Sequence, residues 1–313
     1  MRKILVVTPF NSQWVDELYH SFNEIGQATF LSFDFPPLTQ QLVQNKEFIN
    51  YAKTAYDKLL LVLAKSDAQE IYISYEFAWQ YFNTDFFEKL GDSIRIVGML
   101  WDDSTFHEMN YQLAKHMGIN TFTTGCPISA LKLREKGCEA EFMQVYGSEK
   151  TYKPKNLLHK THEAAFFGDP AKADRKTMLL PFQEIDGFEI FGGHEIPLPL
   201  NQMIERIRNT KIIVNFSKSF ADERNRTVFQ YKARILESIF CGSLPVTEYC
   251  PATELLFDGV VPQFKEPEEG ADRIEFFIKN ENLIIKKIAT LEKLAKKYRP
   301  VVTLKKIFSS DCV

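Results

Sequence analysis

One stretch, from Lys232 to Gly259, constrains the fold more than any other part of the chain. It begins with apolar residues at helical spacing, Ala233, Leu236 and Phe240. Gly242 supplies a C-terminal stop for this helix, and residues 244–247 form a short apolar run typical of a buried strand. A helix, a tight turn and a strand in this order are half of a βαβ unit, so the stretch predicts a parallel α/β sheet.

A second short helix is predicted directly after this strand. Pro251 suits its first turn, and Asp258-Gly259 closes it. Arg234 and Glu237 are three residues apart and therefore share a face of the first helix, while Thr247 or Glu248 ends the strand. Because ligands of open α/β sheets bind at the carboxyl ends of strands, beside helix N-termini that suit phosphate, the stretch predicts a nucleotide pocket.

The same residues carry a family resemblance. The pattern R-x-x-E-x-x-x-x-G-x-x-x-V-T, followed by P-x-x-E-L-x-x-x-G, is met by Arg234, Glu237, Gly242, Val246, Thr247, Pro251, Glu254, Leu255 and Gly259. It resembles the C-terminal half of the CgeB-like, spore-maturation-protein-related glycosyltransferases. Weaker similarity covers most of the chain and includes residues 94–104, 164–176 and 209–219. The resemblance implies a GT-B fold, that is, an α/β protein with two Rossmann-like parallel-sheet domains facing each other across a cleft.

Length and composition fit this expectation. A chain of 313 residues suits two domains, and 45% hydrophobic with 25% charged residues is a globular composition. The net charge of -3 gives no reason to expect a nucleic-acid partner. The chain shows no apolar run of membrane-spanning length and enters its first strand directly after Met-Arg-Lys, so we expect a cytoplasmic protein without a signal peptide. The five cysteines lack C-x-x-C spacing and are expected to be reduced and mostly buried.

Strands and helices alternate through both halves. In the first half the predicted strands are residues 3–7, 29–33, 70–74, 94–100, 120–124 and 141–145, and in the second half they are residues 164–167, 188–191, 212–216, 244–247 and 260–264. A polar segment broken by Gly147 and Pro154 separates the halves. We therefore predict an acceptor-side domain over residues 1–150, a nucleotide-sugar-binding domain over 163–280, and a basic helix and tail over 281–313. The first strand leads into Thr8-Pro9-Phe10-Asn11-Ser12 without a glycine fingerprint, which argues against a dinucleotide oxidoreductase.

Two residues of the first half are candidates for the catalytic group. Asp102 follows a predicted strand, and His107 lies one turn further along. A carboxylate or an imidazole there suits proton abstraction from an acceptor hydroxyl. The structural alternative is that Asp103 or Ser104 caps a helix starting near Thr105 and that His107 is an exposed residue of its first turn.

The loop after the first strand of the second half is a candidate phosphate site. Gly168 allows close approach of a ligand to the backbone, and Arg175-Lys176 follow where the next helix is expected. The family resemblance implies the same use for this basic pair. The alternative is a solvated pair with no ligand.

The resemblance also implies donor-binding roles for residues in the stretch from Lys232 to Gly259. Glu237 is expected to accept hydrogen bonds from ribose hydroxyls, and Lys232, Arg234, Thr247 and Glu254 are expected to line the donor site. An intrahelical ion pair between Arg234 and Glu237 is the competing role. Relatives carry a second glutamate eight residues before Glu237, where this chain has Phe229, and Asp222 or Glu223 are possible replacements.

The C-terminal segment is strongly basic. Residues 286–306 contain eight Lys and Arg residues and a single acidic residue, Glu292. The same C-terminal segment carries an apolar stripe at helical spacing: Ile284, Ile288, Leu291, Leu294 and Ala295. We expect a helix packed on a domain. Peripheral contact with an anionic membrane is the alternative.

Together these features predict a glycosyltransferase that moves sugar from a nucleotide-sugar donor to a carbohydrate, lipid-linked or protein acceptor in bacterial surface polysaccharide or glycoconjugate synthesis. Arginine, lysine and helix N-termini are expected to neutralise the diphosphate, so no metal and no cofactor are expected. The alternative from another class is a non-catalytic GT-B-like protein of surface or spore assembly.

Overall fold

The structure is a computed structural model. It describes residues 3–9, 13–33, 46–74, 90, 94–100, 103–171, 174–193, 198–221 and 227–309. The chain divides into two compact units, one formed by residues 1–145 with 300–313 and the other by residues 146–299. Each unit is described by itself below.

The first unit contains a six-stranded parallel sheet. Its strands are β1 (Lys3–Pro9), β2 (Gln27–Phe33), β3 (Glu70–Ser74), β4 (Arg95–Leu100), β5 (Thr121–Thr124) and β6 (Glu139–Phe142). The strand order is β2-β1-β3-β4-β5-β6. Helices connect the strands: α1 (Gln13–Asn23), α2 (Lys46–Ser66), α3 (Asp103–His116) and α4 (Pro127–Glu135).

The central strands of this sheet are buried on both faces. Leu5 and Val6 are adjacent in β1 and point to opposite faces, yet neither is exposed to solvent. Parallel strands covered by helices on both sides read as continuous apolar runs, which explains why the sequence predicted them well. The bounds of the sixth strand were predicted less well, because β6 begins at Glu139, two residues before the predicted strand of residues 141–145. Met143 and Val145 extend the apolar run but are buried beyond the strand, so hydrophobicity alone placed it too late.

The second unit contains a five-stranded parallel sheet and a small hairpin. The sheet strands are β7 (His162–Phe167), β8 (Phe188–Phe191), β9 (Thr210–Asn215), β12 (Leu244–Glu248) and β13 (Gln263–Phe264). Strands β10 (Lys218–Ala221) and β11 (Thr227–Phe229) pair antiparallel between β9 and the following helix. The sheet order is β13-β12-β9-β7-β8. The order reverses between β7 and β9, where a doubly wound sheet opens a crevice at its carboxyl edge.

Helices pack on this sheet in two groups. They are α5 (Arg175–Met178), α6 (Leu180–Gln183), α7 (Leu200–Asn209), α8 (Arg234–Phe240), α9 (Pro251–Phe257), α10 (Pro267–Ile278) and α11 (Glu281–Ala295). Helix α10 packs against α6 and β12, whereas α8 packs against α7 and α11. The aromatic rings of Phe182, Phe216 and Phe264 meet at centroid distances of 5.6–6.0 Å in the core beneath α10. Phenylalanine rings therefore fill this part of the core.

The stretch from Lys232 to Gly259 folds into the predicted helix, strand and helix. Helix α8 ends before Gly242, whose φ of +70° is strained for any residue with a side chain, and a Cβ there would lie 2.8 Å from the Lys155 carbonyl oxygen. Helix α9 ends at Asp258 and Gly259, both with positive φ. The turn at 258–260 delays β13 to Gln263, three residues later than the sequence suggested. The last helix, α12 (Pro300–Ser309), belongs to the first unit.

Candidate functional site

The loop after β7 is shaped by a glycine. Gly168 has a φ of +156°, and its N–H donates to the Phe191 carbonyl at 2.9 Å. A Cβ at this position would lie 3.0 Å from the Phe166 ring and 3.7 Å from Nη1 of Arg175. The absence of a side chain therefore leaves the backbone of this loop close to the Arg175 guanidinium, at the carboxyl edge where the strand order reverses.

Arg175 is the half-buried cation of this edge. Its Nη1 donates to the Asp169 carbonyl oxygen at 3.2 Å, and its guanidinium lies 5.8 Å from the centroid of the Phe166 ring. Burial lowers the pKa of Arg175, while the charges of Asp169 and Glu248 oppose that shift. Arginine still keeps its proton at neutral pH. Arg175 forms no ion pair with any residue in the described part of the chain, so its charge is available to an anion. Lys176, next to it, is exposed.

Glu248, at the end of β12, organises the neighbouring strand end. Its Oε2 accepts from the backbone N–H groups of Ser217 and Lys218 at 2.9 and 2.8 Å and from the Ser217 hydroxyl at 3.2 Å. Its Oε1 lies 3.3 Å from Nζ of Lys218, and the carboxylate is almost fully buried. Glu248 thus fixes the turn that leads into the β10–β11 hairpin. The sequence predicted Thr247, not Glu248, as the donor-site residue at this strand end.

Thr247 itself is buried inside the sheet. Its hydroxyl accepts a hydrogen bond from the Asn215 side chain at 2.9 Å, which ties β12 to β9. The position favours a structural role over ligand contact. Because β12 is buried on both faces, its residues show no apolar–polar alternation that would distinguish Thr247 from Glu248.

The first turn of α8 brings together Arg234 and Glu237. The Arg234 Nη1 donates to Oε2 of Glu237, and the glutamate side chain is only 3% exposed. The Arg234 guanidinium also lies 5.8 Å from the centroid of the Phe167 ring at the end of β7. The ion pair weighed in the sequence analysis therefore forms, and it places one face of the pair beside the β7 strand end.

Two further predicted donor-site residues, Lys232 and Glu254, contact glutamine side chains. Lys232 precedes α8 and donates to the side-chain oxygen of Gln230. Glu254 is exposed on α9 and accepts from the Gln263 amide at 2.8 Å. Neither Lys232 nor Glu254 is enclosed by the core, so a ligand can replace the glutamine that each of them contacts.

The catalytic candidates belong to the first unit. Asp102 lies outside the described residues, as do Trp101 and the loop residues 10–12. His107 is half-buried, not exposed, on α3, which begins at Asp103, two residues before the predicted start near Thr105. The neighbouring Glu108 pairs with Lys136 at 2.8 Å. The roles of Asp102 and His107 therefore remain predictions.

Neither a metal-binding cluster nor a membrane-spanning helix is found in the described ranges. No group of three or more His, Cys, Asp and Glu side chains in them is arranged to hold a metal ion. Within the same ranges no helix combines the length and apolar character needed to cross a bilayer. Four of the cysteines are described: Cys126, Cys241 and Cys250 are buried, and Cys138 is half-buried.

Comparison with known proteins identifies the fold. No protein-family model and no curated protein sequence matches the chain. Solved structures do match along its whole length. HepE from Anabaena in complex with UDP-glucose has a TM-score of 0.66 at 11% identity, covering 99% of this chain and 98% of that one. An alpha-glucosyltransferase in complex with UDP and a 13-mer DNA has a TM-score of 0.63 at 13% identity, covering 99% of both chains.

A sucrose-phosphate synthase from Thermosynechococcus elongatus also matches, with a TM-score of 0.63 at 7% identity and coverage of 99% and 98% of the two chains. These neighbours share the arrangement of two parallel-sheet α/β units found here. The chain has the GT-B fold, and the predicted fold class is confirmed.

Proposed function

We propose that this protein is a glycosyltransferase that uses a nucleotide-diphosphate sugar as donor and belongs with the CgeB-like enzymes. The observation that carries the proposal is the half-buried Arg175, whose charge is not neutralised by an ion pair with any described residue, at the carboxyl edge of the second sheet. A cation in that setting suits a diphosphate. The neighbours in complex with UDP-glucose and UDP support the same class of ligand.

The donor-binding residues are proposed accordingly. Gly168 and Arg175 would meet the diphosphate, with Lys176 and Lys232 contributing charge from the rim. Glu237, oriented by Arg234, would accept hydrogen bonds from the ribose hydroxyls. Glu254 would lie at the far side of the same edge.

The acceptor and the catalytic group are proposals that rest on the sequence. Asp102 or His107 would remove the proton of an acceptor hydroxyl. The acceptor would be a carbohydrate, a lipid-linked sugar or a protein, in surface polysaccharide or glycoconjugate synthesis. The non-catalytic alternative is not favoured, because solved structures of the same fold hold UDP-glucose or UDP.

The mechanism proposed for the donor is electrostatic. Transfer releases a nucleoside diphosphate, whose charge grows as the glycosidic bond breaks, and a fixed guanidinium stabilises that charge without reorganising. Since Arg175 supplies this charge, transfer would need no divalent metal. Donor hydrolysis that is unchanged by EDTA would support this part of the proposal, and activity restored only by added Mg²⁺ or Mn²⁺ would refute it.

The proposal is tested by measuring binding to matched pairs of nucleoside diphosphates and nucleosides, with uridine, guanosine, adenosine and thymidine as bases, by isothermal titration calorimetry. Arg175→Ala should weaken diphosphate binding about tenfold to a hundredfold and leave nucleoside binding unchanged, because a charge-assisted hydrogen bond contributes roughly 1.5–3 kcal/mol. Glu237→Gln should weaken both ligands. Lys176→Ala is the matched control on the exposed neighbour, with a smaller expected effect. Absence of binding to every nucleotide would refute the proposed function.

A further inference from the structure

Two aromatic side chains lie partly exposed beside the proposed donor site. Phe229, at the end of β11, is 38% exposed, and Tyr249, directly after β12, is 39% exposed. Their ring centroids are 6.4 Å apart and their planes meet at 69°. The two rings therefore form an open corner, which we call the aromatic corner, and both leave apolar surface in contact with water.

The backbone on both sides of the aromatic corner is held firmly. The Tyr249 N–H donates to the Phe264 carbonyl at 2.7 Å, and the Tyr249 carbonyl accepts from the Ser217 hydroxyl at 2.8 Å. The Phe229 carbonyl lies 3.7 Å from Sγ of Cys250. The rings are thus presented from fixed backbone positions, as a binding surface requires.

The aromatic corner adjoins the charged groups of the carboxyl edge. Phe229 is the register partner of Lys218 in the hairpin, and Tyr249 follows Glu248 in sequence. Glu248 contacts Lys218 and lies within electrostatic range of Arg175. The aromatic corner and Arg175 thus belong to the same carboxyl edge of the sheet, both near Glu248.

We propose that Phe229 and Tyr249 receive the sugar ring of the donor, an inference that rests on the proposed function. The angle of 69° between the planes of Phe229 and Tyr249 favours the sugar of a nucleotide sugar, and not its base, as the group bound here. A flat base stacks on one face or between parallel faces, whereas a puckered pyranose presents C–H groups in two directions. Aromatic faces carry negative charge density that attracts such polarised C–H groups. The aromatic corner is thus the specificity-determining surface for the transferred sugar.

The test compares a sugar nucleotide with its parent diphosphate in the full-length protein. The nucleotide that binds best in the panel above is used, with UDP-glucose and UDP as the first pair. Phe229→Ala and Tyr249→Ala should each weaken the sugar nucleotide about fivefold to tenfold and change diphosphate affinity less than twofold. Tyr249→Phe should restore binding, because it keeps the ring. Phe276→Ala is the control, since Phe276 is an equally large ring, 51% exposed near the end of α10.

Each result discriminates between the two proposals. Equal losses for the sugar nucleotide and the diphosphate, or no loss for either, would overturn the aromatic corner while the nucleotide site stands. If the wild-type protein binds no nucleotide, both proposals fall. Unchanged thermal unfolding of the variants excludes a folding defect, and Tyr249→Leu provides a second variant if the alanine change unfolds the protein.

Discussion

At the scale of single residues, the most informative side chain is Glu248. Its carboxylate is buried and accepts hydrogen bonds from two backbone N–H groups of the turn after β9. An acidic residue with this environment is a structural anchor that also sets the position of Lys218 and the hairpin. The residue therefore links the stability of the second unit to the shape of the proposed donor site.

We predict that Glu248→Gln destabilises the protein by about 1.5–3 kcal/mol, because hydrogen bonds to a charged oxygen become weaker ones to a neutral amide oxygen, while the NH₂ group faces the Lys218 ammonium. Urea denaturation followed by circular dichroism measures the change. Glu254→Gln, at an exposed position, is the matched control and should stay within about 0.5 kcal/mol of wild type. Equal effects of the two changes would show that the Glu248 contacts contribute little.

Lys160 is a second residue whose environment has consequences. It is buried, and its ammonium donates to the carbonyls of Arg208 and Cys241 at 2.8 and 3.1 Å and to the Ser243 hydroxyl at 3.0 Å. These acceptors include the C-terminal ends of α7 and α8. Desolvation by burial lowers the pKa of Lys160 to about 7.

The sign of the resulting pH dependence follows from this pKa. An unfolded lysine keeps its proton to a pKa of 10.5, so above pH 7 the unfolded state binds more protons than the folded state. We predict that Lys160 makes the free energy of unfolding rise with pH between about 7 and 10, by at most about 1.4 kcal/mol per pH unit. Urea titrations at several pH values should show a flatter profile for Lys160→Met. An identical slope in wild type and variant would contradict the prediction.

At the scale of elements, helix α11 shows how a basic sequence packs. Its residues Ile284, Ile288, Leu291 and Ala295 are buried, and the helix contacts α8, α9 and α10. The basic residues lie elsewhere on the segment: Lys286, Lys293, Lys296 and Lys297 are exposed, while Lys287 donates to the Val260 carbonyl at 2.9 Å. The apolar stripe therefore serves the core of the second unit, as the sequence predicted.

We predict that Leu291→Ala lowers stability by about 2–5 kcal/mol, because it removes a side chain with no exposed surface from the core. Lys293→Gln, two residues away on the exposed face, should change stability by less than about 0.5 kcal/mol. Thermal and urea unfolding measure both. A loss on Lys293→Gln as large as on Leu291→Ala would contradict this division of the helix.

The same helix tests the membrane alternative. We expect the helix to serve packing alone, so the wild type should not co-sediment with vesicles containing anionic lipid. A variant with Lys286, Lys293, Lys296 and Lys297 replaced by Gln should behave in the same way. Co-sedimentation that needs these lysines and falls with salt would instead establish peripheral membrane contact.

At the scale of the whole molecule, the chain enters the second unit at residue 146 and returns to the first at Pro300. Helix α12 attaches there through both polar and apolar contacts. Nη1 of Arg95 donates to the Ile307 carbonyl at 2.9 Å, and the Thr303 hydroxyl donates to the Phe142 carbonyl at 3.2 Å. The ring of Phe308 lies 5.7 Å from that of Phe22. The last ten residues of the described chain thus complete the core of the first unit.

We predict that Leu304→Ala, at a position with no exposed surface, destabilises the first unit and not the second. Hydrogen exchange followed by mass spectrometry should show faster exchange in β1, β3 and β4 and unchanged exchange in β7, β9 and β12. Val302→Ala, at a 43% exposed position of the same helix, is the control. Acceleration in both units would show that they unfold together.

Much of this protein was determined by its sequence alone. Parallel strands covered on both faces are continuous apolar runs, and Gly242, Pro251 and Gly259 occupy turn and helix-end positions that few other residues tolerate. These local constraints predicted the α/β class, nearly all of the sheet strands and the helix–turn–strand around residue 242. Local pattern also placed Gly168 and Arg175 after the first strand of the second sheet, where the structure has them.

Only the tertiary structure decided which of these residues meet. The sheet order β13-β12-β9-β7-β8 brings the ends of β7, β9 and β12 to one edge, and that order depends on contacts between residues far apart in sequence. This order brings Glu248 to the turn at Ser217 and Lys218. The β10–β11 hairpin, whose strands are too short for a periodic signal, brings Phe229 beside Tyr249. Periodicity reports which side of an element is buried. It does not report the partner against which that side is buried, because pairing is set by packing across the whole unit.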